Sequence, residues 1–200
     1  MSGYSAIERQ EGTFDVFLPR EDLTKSSHRN GISSITVRES FDAALHGQRV
    51  LFQLATADGA VVKDDPKQPT DLLFWSWIPV FSTRAHQLLN HVGVASTEFV
   101  PCGFESRPNE GYFLHLPERA FDVVDVERSE FAMMIPLQPP LPHGIRALVL
   151  RGDQALLPPC FRASVPGHAQ VFGELLVSDA LREAWTQAGL SGAVFRRLTA

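Results

Sequence analysis

Two stretches of this chain follow the same local rules, and that regularity limits the fold more than any other feature. Ser82 and Ser178, Gly93 and Gly189, and Phe99 and Phe195 are each 96 residues apart. In the later stretch, Leu175-Leu176-Val177 is apolar and strand-like. Ser178 then offers a hydroxyl to the free N–H groups of a helix start, where Asp179 is favoured by the dipole. Leu181, Ala184, Trp185 and Ala188 fall at i, i+3, i+4 and i+7, one apolar helix face. Gly189 stops the helix, because a residue without Cβ turns out of it at positive φ cheaply. Ala193-Val194-Phe195 returns as a strand. The earlier stretch repeats the pattern: Val80-Phe81, Ser82, the face Ala85/Leu88/Leu89/Val92, Gly93 and Phe99. Serine caps and glycine stops are common, but their shared spacing points to two strand-helix-strand modules, around 78–102 and 174–198. Neither module carries catalytic chemistry.

The rest of the chain reads as short strands separated by turns. Residues 1–11 look like a polar lead-in, and Phe14–Leu18 is the first strand candidate. Residues 20–31 form a loop, Ile32–Val37 a strand and Ser40–Leu45 a short helix, before the strand Val50–Leu54. Asp58 to Pro69 is the most turn-rich stretch and marks a seam between residues 1–69 and residues 70–200. The aromatic run Leu72–Pro79, with Trp75 and Trp77, reads as core packing. Glu98–Cys102 and Tyr112–Leu116 read as strands joined by a Gly103–Gly111 loop. Phe121–Val126, Phe131–Ile135, Ile145–Leu150 and Cys160–Ala163 are further strands, and the four prolines between Pro136 and Pro142 make an extended connector. The sum is an α+β fold with many short strands, mainly antiparallel, and about three helices.

Composition narrows the functions available. A net charge of −5 argues against nucleic acid as a direct ligand, which needs clustered Lys and Arg, and suits a basic protein partner better. The first ten residues hold no apolar h-region, and the apolar runs are too short to span a bilayer, so a cytoplasmic chain without a membrane partner is expected. Cys102 and Cys160 lie far apart and read as reduced, buried thiols. His86 and His91 share a helix at i, i+5, about 140° apart, unlike a zinc-binding i, i+4 pair. Neither a nucleophile elbow nor a phosphate-binding glycine loop is present. Asp122, Asp125, Glu127 and Glu130 crowd one segment and read as solvated surface. No cofactor, metal or catalytic residue is expected. Asp58, Asp64, Asp65, Glu105 and Glu110, in expected loops, are the candidate contacts for a basic partner, since complementary charge orients docking.

The C-terminal blocks Tyr112–Leu116, Val123–Phe131, Cys160-Phe161-Arg162 and above all Leu176–Trp185 running on to Ala188–Phe195 resemble the myxobacterial-type immunity proteins of bacterial polymorphic toxin systems, over roughly residues 70–198. The segment before Phe161 departs from that pattern, with Pro158-Pro159 where a more acidic stretch is expected. The resemblance implies a non-catalytic protein that binds and neutralises one cognate toxin, delivered by contact-dependent or type VI secretion. A basic nuclease domain acting in the cytosol is the expected toxin on the acidic balance, with an ADP-ribosyl-transferring, deaminating or peptidase toxin and the oligomeric state left open. Two other readings stand beside it. An enzyme with a cleft between the modules predicts convergent polar groups there. A self-associating module predicts an exposed Trp75/Trp77 patch.

Overall fold

The computed structural model describes residues 3–9, 15–17, 50–55, 70–75, 78–95, 99–104, 107–115, 120–136, 141–152, 156–165 and 175–198. Within them the fold is α+β, mainly antiparallel, with two helices. The short helix expected at Ser40–Leu45 and the strand at Ile32–Val37 lie outside the described residues.

Both modules form as their sequence pattern dictates. Strand β5 (Ile78–Ser82) leads into helix α1 (Thr83–His91), and strand β12 (Leu175–Ser178) into helix α2 (Asp179–Gln187). Ala85 N–H donates to Ser82 Oγ at 3.2 Å and Leu181 N–H to Ser178 Oγ at 3.3 Å, the same cap at the same position. Gly93 and Gly189 take φ of +91° and +62°, and beyond them Val94 N–H and Leu190 N–H close on Leu89 and Trp185 carbonyls. The chain then enters β6 (Phe99–Phe104) or β13 (Ala193–Arg197).

The repetition extends well past these modules. Strands β2 (Asp15–Phe17), β3 (Val50–Ala55), β4 (Leu72–Trp75), β5, β6 and β7 (Arg107–His115) close a barrel in the order β2-β3-β6-β7-β5-β4. Strands β1 (Tyr4–Arg9), β8 (Ala120–Asp122), β11 (Cys160–Ser164), β12 and β13 form an open sheet in the order β13-β1-β12-β11-β8. Five positions of the barrel, β6-β7-β5-β4-β2, match the open sheet strand for strand. Their registers match too. Tyr112 pairs with Ser82 and Tyr4 with Ser178, while His115 pairs with Phe99 and Ile7 with Phe195. The outer strands β2 and β8 both run parallel to their neighbours, Asp15 opposite Phe74 and Ala120 opposite Arg162.

One core serves both copies. Phe81, Ala85, Leu89 and Phe99 from one module are buried with Val177, Leu181 and Trp185 from the other. The rings of Phe81 and Trp185 meet edge to face at 6.1 Å. A second apolar cluster (Tyr4, Ala6, Phe161, Ala163, Leu176 with Val124, Leu148 and Leu150) covers the other face of the open sheet. The modules therefore meet through packed apolar side chains among the described residues. The polar cleft that an inter-module enzyme site would require is not found among them.

Residues 4–9 correct an expectation. Instead of a polar lead-in they form β1, the strand between β12 and β13. Ser5 and Glu8 hide the signal, since only Tyr4, Ala6 and Ile7 are apolar, yet Ser5 and Ala6 are fully buried. Small residues fit there because the packed clusters on the two faces of the sheet bury both, which local hydrophobicity does not report.

Candidate interaction surface

Among the described residues, strands β9 (Glu130–Ile135) and β10 (Leu141–Ala147) pair with each other alone, as a two-stranded ribbon. The expected strand at Ile145–Leu150 is thus displaced toward the N-terminus, and Pro142 sits in β10 opposite Met134. A proline is tolerated in a ribbon because each strand leaves one edge without a partner. The base of the ribbon is firmly held. Val149 N–H donates to Ser129 Oγ at 2.9 Å, Ser129 N–H to the Asp125 carbonyl at 2.9 Å, and Arg128 N–H to Asp125 Oδ1 at 3.1 Å. Val124 bridges to Leu150, and Leu148 and Leu150 anchor this region in the second apolar cluster.

Beyond that base, Ala132, Met133 and Met134 are all exposed, Met133 at 58% and Met134 at 48%. Successive strand residues point to opposite faces, so β9 is exposed on both of its faces here. Glu130 and Arg146 are the only ionisable groups of β9 and β10 besides His143. An apolar, flexible side chain such as Met adapts to a partner surface and is common at binding sites. The apolar run Phe131–Ile135 was readable as a strand without polar alternation, which means either burial on both faces or a surface kept for a partner.

The candidate acidic contacts are placed less fully. Asp58, Asp64, Asp65 and Glu105 lie outside the described residues. Glu110 is half-buried in β7, so the Gly103–Gly111 loop is corrected to a hairpin whose strands reach Phe104 and restart at Arg107. Glycine misleads there: Gly111 is in a strand because a Cβ would lie 2.5 Å from Thr83 Oγ1, not because the chain turns. In the other acidic segment, Asp122 pairs with Arg151 at 2.9 Å, both exposed, and Asp125 closes the turn described above.

The buried polar groups are framework. Asp71 links the modules: its carboxylate accepts from Ser82 Oγ (2.6 Å), Ser191 N–H (3.0 Å) and Ser191 Oγ (3.2 Å), with Arg84 at 3.7 Å. Arg162, only 4% exposed, stands where the barrel copy has Phe74, and burial pushes its guanidinium down to about 10. His86 stacks on Phe113 at 3.8 Å and contacts Asn90 through Nε2 at 3.0 Å, and burial lowers its pKa. Burial also raises Tyr4, whose hydroxyl donates to the Leu157 carbonyl at 3.0 Å. No group of three His, Cys, Asp or Glu suited to a metal occurs among the described residues. Cys102 and Cys160 are buried thiols. No described helix is long and apolar enough to cross a membrane. Trp77 and the Trp75 side chain, on which the self-association reading turned, lie outside the described residues.

Residues 22–200 match the immunity protein family Imm11. The chain belongs to that family. As an Imm11 immunity protein it serves to bind a cognate toxin. The match takes in both modules and the ribbon, and begins after β1 and β2. No curated protein matches this Imm11 chain.

Proposed function

We propose that this immunity protein neutralises a nucleic-acid-cleaving toxin inside the cytoplasm, after delivery by contact-dependent or type VI secretion, and that it docks the toxin through the β9–β10 ribbon. The observation that carries the docking site is the run of exposed apolar residues Ala132–Met134 on a ribbon clamped at its base. An inhibitor needs a stable scaffold and one apolar anchor patch rather than a pocket, because a few desolvated side chains supply most binding energy. The net charge of −5 supports a basic partner, with Asp58, Asp64, Asp65, Glu105 and Glu110 as the acids that steer it. The chain does this work by binding, without catalysis or cofactor.

The test is to express the product of the adjacent gene and follow chromosomal DNA and total RNA on gels, with and without the immunity protein. Degradation that the immunity protein prevents supports the reading. Toxicity with intact nucleic acid overturns the nuclease assignment. Neutralisation that survives joint charge reversal of the five acids removes them from the contact surface.

A further inference from the structure

The repeat has a chain order that its sheet order conceals. Residues 3–104 run β1, β2, β3, β4, β5, α1, β6. Residues 111–198 run β7, β8, then Leu148–Leu150, β11, β12, α2, β13, with the ribbon inserted after β8. Leu150 forms an antiparallel bridge with Val124, two residues past β8, on the side of β8 that matches the place of β3 beside β2. The two halves are thus colinear copies, and each lends its leading strand to the other: β1 fills the gap between β12 and β13, and β7 the gap between β5 and β6.

The two lent strands dock by the same device. The only two tyrosines of the chain, Tyr4 and Tyr112, each follow a glycine and occupy equivalent registers. Gly3 and Gly111 both pack on the first residue of the helix in the receiving sheet. A Cβ on Gly3 would sit 2.6 Å from Asp179 Oδ2, and one on Gly111 2.5 Å from Thr83 Oγ1. Gly3 N–H donates to Asp179 Oδ2 at 3.1 Å, and Asp179 N–H donates to the Gly3 carbonyl at 2.9 Å. In the other copy Thr83 Oγ1 donates to the Gly111 carbonyl at 2.9 Å. The side chains on the two lent strands differ in size. Ser5 and Ala6, fully buried, stand where β7 has Phe113 and Leu114.

We infer that the cleft between β12 and β13 is a peptide-binding site for an extended segment led by Gly-Tyr and followed by two small residues, occupied here by residues 3–9 of the same chain. Ladder bonds form on both sides of the strand, Asp179 bonds both the N–H and the carbonyl of Gly3, its carboxylate lying where a Cβ would sit, and Tyr4 reaches the carbonyls of Leu157 and Pro158 at 3.0 and 3.3 Å. The family match begins at residue 22, so the acceptor belongs to the matched part and the strand that fills it does not.

The test uses the full chain carrying a protease site between Arg9 and Asp15. After cleavage the N-terminal peptide is expected to co-elute with the body of the protein, and excess fluorescent peptide of residues 1–9 should replace it. Peptides with Gly3→Val or Tyr4→Ala should compete at least roughly tenfold more weakly, given the lost backbone fit and buried hydroxyl bonds. The uncut chain should take up none. Equal exchange of wild-type and Gly3→Val peptides, uptake by the uncut chain, or a cut protein that excess peptide does not occupy would each overturn the site.

Discussion

Replacing Asp71 by alanine should loosen the junction that holds the two modules in register. The carboxylate is one-tenth exposed and accepts three hydrogen bonds, from Ser82 Oγ and from both the N–H and Oγ of Ser191, with Arg84 close by. A hydrogen bond to a charged group contributes about 1.5–3 kcal/mol, but the hydroxyls can turn to new partners while the Ser191 N–H cannot. The expected loss is about 3 kcal/mol, with Asp71→Asn losing about half as much because its amide nitrogen cannot accept. For a domain of this size that lowers Tm by roughly 6–12 °C. Ser191→Ala should cost about 1 kcal/mol, and the cycle with Asp71→Ala should show coupling of similar size, since both remove the same bonds. Ser82 is a poorer probe because its hydroxyl also caps α1. Urea unfolding at neutral pH, followed by far-UV circular dichroism, reads these differences as shifts in midpoint at constant slope. An Asp71→Ala protein within about 0.5 kcal/mol of the parent would mean that Asp71 does not hold the modules together, because surface substitutions fall in that range.

The shared core predicts that Leu89→Ala and Leu181→Ala, one in each module and both 1% exposed, each cost about 3 kcal/mol by urea unfolding and melt the whole protein in one transition. Separate transitions for the two modules would contradict a common core. Burial holds the folded His86 pKa below its ordinary 6.5, so the unfolded chain takes up the proton first. The stability tied to neutral His86 is complete above pH 6.5 and drains as pH falls toward the folded value; His86→Gln should flatten that part of the pH profile, and an unchanged slope would count against it. Met133→Ser with Met134→Ser should leave the unfolding midpoint within about 0.5 kcal/mol of the parent, because neither side chain is in the core, yet abolish toxin capture. Capture at parental strength would remove the ribbon from the interface.

The modules were legible because capping and stopping are local chemistry. Ser82, Ser178, Gly93 and Gly189 act within four residues of themselves, and the structure places each as its neighbours dictate. The strand between β12 and β13 was not legible, because it comes from the far end of the chain, whereas β7, next to β6 in sequence, was readable in Tyr112–Leu116. Tyr4–Arg9 carries small and polar residues that make sense only against β12 and β13. The repeated Gly-Tyr pair was nevertheless in plain view, and comparing Gly3-Tyr4 with Gly111-Tyr112 would have exposed the wider duplication. The candidate acids Asp58, Asp64 and Asp65 were chosen from loop composition, which tells where charge is solvated and says little about what it touches. The ribbon carried a better signal, an apolar strand without alternation, but exposure and burial write the same pattern in sequence.

Neutralisation by binding is measured most directly by co-expression of this chain with the product of the adjacent gene, scored by host survival and by co-purification on a size-exclusion column. Rescue is expected together with a stable complex that contains both chains, and both should be lost in the Met133→Ser, Met134→Ser protein. Rescue without a complex, or a toxin that kills regardless of a folded immunity protein, would contradict neutralisation by binding.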